Sequence, residues 1–147
     1  MSIIFGDTSA LAKRYLPEAG SGWMRRIAVS SLLVIAELAT VEMFSLLNRQ
    51  CREGTITNEM KVAIQRVFLR HVETEYMVIL SDASVHNHAR ALVDRHPLRT
   101  LDALQLASAL RARAKLNAPL DFISADRNLL TAAAAEGFNV DNPNAHV

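Results

Sequence analysis

The chain has 147 residues, half of them hydrophobic and 21% charged, with 16 Lys and Arg set against 15 Asp and Glu. Such proportions describe one folded domain with a sizeable core and exclude a disordered chain. The net charge of +1 says little about partners, and the single cysteine, Cys51, excludes an intrachain disulfide and a cysteine-rich zinc site.

Ile3 to Gly6 is a short apolar run that reads as a buried strand. Asp7-Thr8-Ser9 then opens a helix predicted through about Leu16, which Pro17 and Gly20 break. Ser21 to Ile27 reads as a short second helix and Ala28 to Ser31 as a short strand. Ile35 to about Arg52 predicts a long helix that ends at Gly54. Thr57 caps another helix to about His71, with Met60, Ile64, Val67 and Phe68 at helical spacing. Met77 to Leu80 is a buried strand, and Ser81 and Asp82 start a helix through about Arg95 that Pro97 stops. Thr100 caps a helix to about Leu116, followed by a strand from Leu120 to Ser124. Asp126 to Glu136 is a helix with Gly137 just past its end, and Phe138 to Val140 is a last strand. Residues 1–141 make the domain, and the polar tail 142–147 is expected to fray.

The apolar stretch Val29 to Leu47 contains Glu37, Thr40 and Glu42, so it reads as a strand and a buried helix, not a membrane span. No basic segment precedes Ile3-Ile4-Phe5, so no signal peptide is expected and the cytoplasm is the expected location.

Short, continuously apolar strands alternating with helices imply an α/β fold, with right-handed crossovers and a parallel sheet covered on both faces. Functional groups of such sheets gather at the carboxyl edge of the strands. Asp7 and Asp126 lie just past the ends of predicted strands and so belong at that edge. Glu42 and Asp102 lie within or near the start of predicted helices, and their directions stay open.

Carboxylates are rarely buried unless paired or bound to a cation. Singly, Asp7 and Asp126 could cap helices, and Asp102 in a first turn would favour the helix macrodipole. Glu42 differs. Between Val41, Met43 and Phe44 it reads as a mid-helix acid bordering the core face. Glu37, five positions earlier on the same predicted helix, is turned roughly 140° away and reads as a rim residue. Together the four acids suit hard cations such as Mg²⁺ or Mn²⁺, with Ser9 or Thr8 orienting an acid or a water. The basic residues Lys13, Arg14, Arg25, Arg26, Arg49, Arg52, Arg99 and Arg127 lie near the same segments. A nucleic-acid backbone would need several of them on one rim.

Four segments together resemble the PIN-domain ribonucleases of the VapC toxin type. They are Phe5-Gly6-Asp7-Thr8-Ser9-Ala10-Leu11-Ala12-Lys13-Arg14-Tyr15-Leu16-Pro17-Glu18, Val41-Glu42 with Leu46 and Arg49, Leu98-Arg99-Thr100-Leu101-Asp102-Ala103-Leu104-Gln105-Leu106-Ala107, and Phe122-Ile123-Ser124-Ala125-Asp126 with Leu129. The third is the most specific, and the motifs occur in order over nearly the whole chain. The resemblance implies a three-layer α/β/α sandwich with a central parallel sheet of four to five short strands. It implies one pocket of Asp7, Glu42, Asp102 and Asp126 holding Mg²⁺ or Mn²⁺, supported by Ser9 or Thr8. It further implies RNA hydrolysis by a metal-activated water, a homodimer, and a small antitoxin partner that forms a larger complex and covers the site. The alternatives are a catalytically silent module of the same fold and a haloacid-dehalogenase-like phosphatase. The phosphatase needs a second Asp two positions after the first, and here that position is Ser9.

Overall fold

The structure is a computed structural model that describes residues 1–147. In chain order its elements are β1 (Ser2–Gly6), α1 (Thr8–Ala12), α2 (Ser21–Ser30), β2 (Ser31–Ala36), α3 (Ala39–Arg52) and α4 (Asn58–Thr74). Then follow β3 (Met77–Ile79), α5 (Ala83–Arg95), α6 (Thr100–Leu116), β4 (Asp121–Ile123), α7 (Arg127–Ala135), β5 (Asn139–Asp141) and a 3-10 turn, Pro143–Ala145. The five strands are parallel in the order β3-β2-β1-β4-β5. The chain first runs outward from β1 to β3 and then crosses back to β4 on the other side. The strand order therefore reverses between β1 and β4, and a crevice belongs beyond their carboxyl ends.

Strand side chains alternate between the faces of a sheet. Ile4, Leu33, Ile35 and Ile123 pack with Leu11, Met24, Met43 and Phe68 from the layer of α1 to α4. Phe5, Val34, Ala36 and Phe122 pack with Leu92, Leu106 and Leu129 from the layer of α5 to α7. The result is the expected α/β/α sandwich. No helix is long and apolar enough to cross a membrane.

Two boundaries differ from the sequence reading, for one reason. Helix α2 extends to Ser30 because Met24 and Ala28 bury one face of it, while Val29 is exposed. The strand predicted at Ala28 to Ser31 instead occupies Ser31–Ala36, with Ile35 paired to Val78 and Ala36 to Ile79. Helix α3 consequently begins at Ala39, not Ile35. Glu37 thus lies in a turn, exposed, and its Oε1 accepts the Ser81 N–H at 3.0 Å. The helix predicted through Leu16 also narrows to Thr8–Ala12, with turns bonded to the Ala10, Leu11 and Ala12 carbonyls beyond it.

Part of the polar C-terminal tail packs on the domain. Asn142 caps the 3-10 turn, Pro143 is buried, and the His146 ring stacks on Trp23 at 4.1 Å and 4°. Gly20 makes this docking possible: its φ is +82°, and a Cβ would stand 2.3 Å from the Pro143 carbonyl oxygen. Gly20→Ala is expected to cost about 2 kcal/mol or more and to release the tail. Urea unfolding followed by Trp23 fluorescence checks this, and an unchanged midpoint would contradict the packing described.

Candidate active site

Each acid of the sequence reading stands at a helix start on the carboxyl side of the sheet. Asp7 directly follows β1 and caps α1, accepting the Ala10 N–H at 3.0 Å. Asp126 follows β4 and caps α7, its Oδ1 accepting the Asn128 and Leu129 N–H groups at 2.9 and 3.2 Å. Asp102 lies in the first turn of α6. Glu42 lies in the first turn of α3, so it is not the mid-helix acid expected. In all four places a carboxylate is locally favourable. All four nonetheless line one cavity of about 340 Å³, with Thr8 and Ser9 in its wall. Glu37 is absent from that wall, and Asp121 opens β4 at the opposite, amino edge.

Asp7 is the most buried of the four. Its Oδ1 accepts the Ser9 hydroxyl at 2.7 Å, and its Oδ2 accepts the Ser124 hydroxyl at 2.7 Å. Burial pushes its carboxyl up to about 6, against the Ser124, Ser9 and Ala10 hydrogen bonds, with a small addition from the charge of Asp102. Asp102 is also raised, first by burial and then by the charges of Asp126 and Glu42, with Arg99 opposing. The acids therefore feel one another. None of the four takes part in an ion pair with Lys, Arg or His.

The sequence reading missed two side chains. Ser124 bridges the strand ends, donating to Asp7 and accepting the Asp126 N–H at 3.0 Å. Gln105 donates to Glu42 Oε1 at 2.8 Å and to Thr8 Oγ1 at 3.1 Å. The only sequence signals were a serine at a strand end and a polar residue in the apolar run Leu104 to Ala107. The choice between Thr8 and Ser9 resolves into two roles. Thr8 donates to Glu42 Oε1 at 2.7 Å, whereas Ser9 serves Asp7 and accepts the Ala125 N–H at 3.0 Å.

Much of this carboxylate hydrogen-bonding capacity is spent on the protein. No three Asp, Glu, His or Cys side chains close on one point as a ready-made cation cage. Glu42 Oε2, Asp126 Oδ2 and both oxygens of Asp102 keep no protein donor, which leaves them to a ligand in the cavity. An all-oxygen donor set of this kind is what hard divalent cations take, completed by water.

Fold and site together define a parallel-sheet α/β/α domain with an acidic cavity at its topological switch point. The PIN domain family model matches residues 4–135, and the chain belongs to the PIN domain family. No curated protein matches the sequence. Among solved structures the chain is similar to the Mycobacterium tuberculosis toxin VapC20, described as cleaving the sarcin-ricin loop, at 23% identity and TM-score 0.65. That match covers 92% of this chain and 95% of the other. A toxin–antitoxin complex from Klebsiella pneumoniae matches at 15% identity and TM-score 0.63, covering 95% of this chain and 97% of the other. VapBC2 from Rickettsia felis, bound to a promoter DNA fragment, matches at 11% identity and TM-score 0.64, covering 95% and 98%. At these identities the likeness is one of fold.

Proposed function

We propose that the protein is a Mg²⁺- or Mn²⁺-dependent endoribonuclease and the toxin of a toxin–antitoxin pair. The observation that carries this reading is a cavity lined by Asp7, Glu42, Asp102 and Asp126 in which no acid is ion-paired. The donor set fits the ion: it is all oxygen, incomplete, and open to the waters that such ions keep. The bound ion would neutralise charge building on the scissile phosphate and lower the pKa of a bound water. Asp7, Glu42, Asp102 and Asp126 are its expected ligands, and Glu42 Oε2, Asp126 Oδ2 and both Asp102 oxygens carry no protein donor. Ser9 and Ser124 hold Asp7 in one rotamer, and Thr8 does the same for Glu42. Arg49 lines the same cavity and Arg99 an adjoining one that shares Glu42, Asp102 and Asp126. These two guanidiniums would bind RNA phosphates on either side of the cut. The likeness to toxin–antitoxin complexes supports a small antitoxin partner. A homodimer is the free form expected from the family resemblance.

A silent RNA- or partner-binding module is the second reading, favoured by the lack of three converging carboxylates. One experiment separates the two. Total RNA is incubated with the protein in Mn²⁺ or in EDTA, beside Asp102→Asn, and cut sites are mapped by 5′-end sequencing. Discrete cuts are expected in Mn²⁺, with at least about a hundredfold loss in EDTA that excess Mn²⁺ restores. Cuts that survive both EDTA and Asp102→Asn would remove the reading, and no cutting under any condition would leave the silent module.

A further inference from the structure

Gln105 is only 2% exposed and sits on α6 three residues after Asp102, on the same side of the helix. Its Nε2 donates to Glu42 Oε1 and Thr8 Oγ1, and Thr8 donates to that same Glu42 oxygen. Two donors therefore converge on Glu42 Oε1, while Oε2 has none. The remaining polar atom, Gln105 Oε1, is buried without a partner. Buried polar atoms are nearly always satisfied, so this one calls for a cause. Reversing the amide would set an oxygen against the Glu42 carboxylate and give up the Nε2 hydrogen bond. The orientation is thus dictated by Glu42, and the orphaned acceptor is its consequence. Stability alone would favour an apolar side chain here, as at the neighbouring Leu106 and Ala107.

We propose that Gln105 is a positioning residue that, with Thr8, clamps Glu42 Oε1 and so presents Glu42 Oε2 to a divalent cation in the cavity. The assignment rests on the cation reading of the site given above. Partners of this kind orient a ligand without touching the ion, and their loss weakens metal binding rather than the fold.

The test is Gln105→Met, which keeps length and volume and removes the amide. Mn²⁺ is titrated calorimetrically into wild type and variant without RNA, and both are melted without metal. Mn²⁺ affinity is expected to fall about 10- to 100-fold, with the metal-free melting temperature unchanged or higher. Cleavage should recover at high Mn²⁺ with KM for RNA unchanged. Should Gln105→Met fail to fold, the side-chain amide resonances of Gln105 in the wild type serve instead, and they are expected to shift on Mg²⁺ addition. Wild-type Mn²⁺ affinity in Gln105→Met, or amide resonances unmoved at saturating Mg²⁺, would overturn the assignment alone. A wild type that binds no Mn²⁺ would overturn the cation reading and this assignment with it.

Discussion

Asp7→Asn is expected to lower Mn²⁺-dependent RNA cleavage at least about a thousandfold while leaving the protein folded. The substitution removes the charge and keeps the shape. Asn Oδ1 can still accept from Ala10 and Ser9, and the Ser124 hydroxyl can turn to accept from the new amide. The pH dependence of stability supplies an independent signature. Burial raises the folded Asp7 carboxyl from 3.8 to about 6, so between these values the folded state binds more protons than the unfolded one. That contribution to stability is fully present below about 4 and is lost as pH rises through 6, a difference of about 3 kcal/mol. Asn carries no such dependence. The variant is therefore expected to lack this fall in urea midpoint between pH 4 and 7, and to equal or exceed the wild type at pH 7. A purified Asp7→Asn protein that still cleaves RNA with Mn²⁺ would sink the role given to Asp7.

How four acids come to share one cavity has a physical answer in the helices. The carboxyl edge of a parallel sheet is where the chain turns into the following helix, so helix N-termini collect there. Here α3, α6 and α7 each point their positive end toward the cavity, and each brings one acid in its cap or first turn. Asp7 caps the short α1 beside them. Capping and shared charge are thus one arrangement. Helix starts hold acids that would otherwise repel one another, and Asp102, raised first by burial, is raised further by the charges of Asp126 and Glu42.

This explains which residues the sequence made legible. Asp7 and Asp126 were readable because an acid directly after an apolar run has only one place to go in a parallel fold. Glu42 lines the shared cavity, but not as the mid-helix acid its local pattern suggests. Ile35 and Ala36 belong to β2, so the helix starts four residues later than its apolar pattern suggests, and Glu42 is a first-turn acid. Short buried strands and helix starts share the same apolar residues, and sheet pairing with β3 decides between them. Ser124 and Gln105 were illegible for a different reason. Their partners lie 117 and 97 positions away, at Asp7 and Thr8, and no local pattern encodes such a contact. The docked tail was hidden likewise, because Pro143 meets Gly20 and His146 meets Trp23 only in three dimensions.

Phe122→Ala is expected to cause the largest loss of stability of any single truncation in the sheet, about 3–5 kcal/mol. Phe122 is fully buried in the middle of β4, stacked on Phe5 at 5.3 Å and tilted against Phe138 at 5.8 Å. These rings join β1 and β4 to the residue that leads into β5, and the helices above are close-packed through alanines with little volume to spare. The void left by alanine would therefore persist rather than collapse. Phe122→Leu, which refills part of it, should cost clearly less. In thermal unfolding the alanine variant should melt about 10–15 °C lower. Position 122 is two residues before Ser124, whose 2.7 Å bond to Asp7 ties β4 to β1 at the site. The variant should thus lose cleavage as temperature rises toward its own melting point and keep it well below. Asp7→Asn should show the reverse pattern, inactive at every temperature and undiminished in stability at neutral pH. A Phe122→Ala protein that melts with the wild type would refute the place given to this aromatic contact in the core.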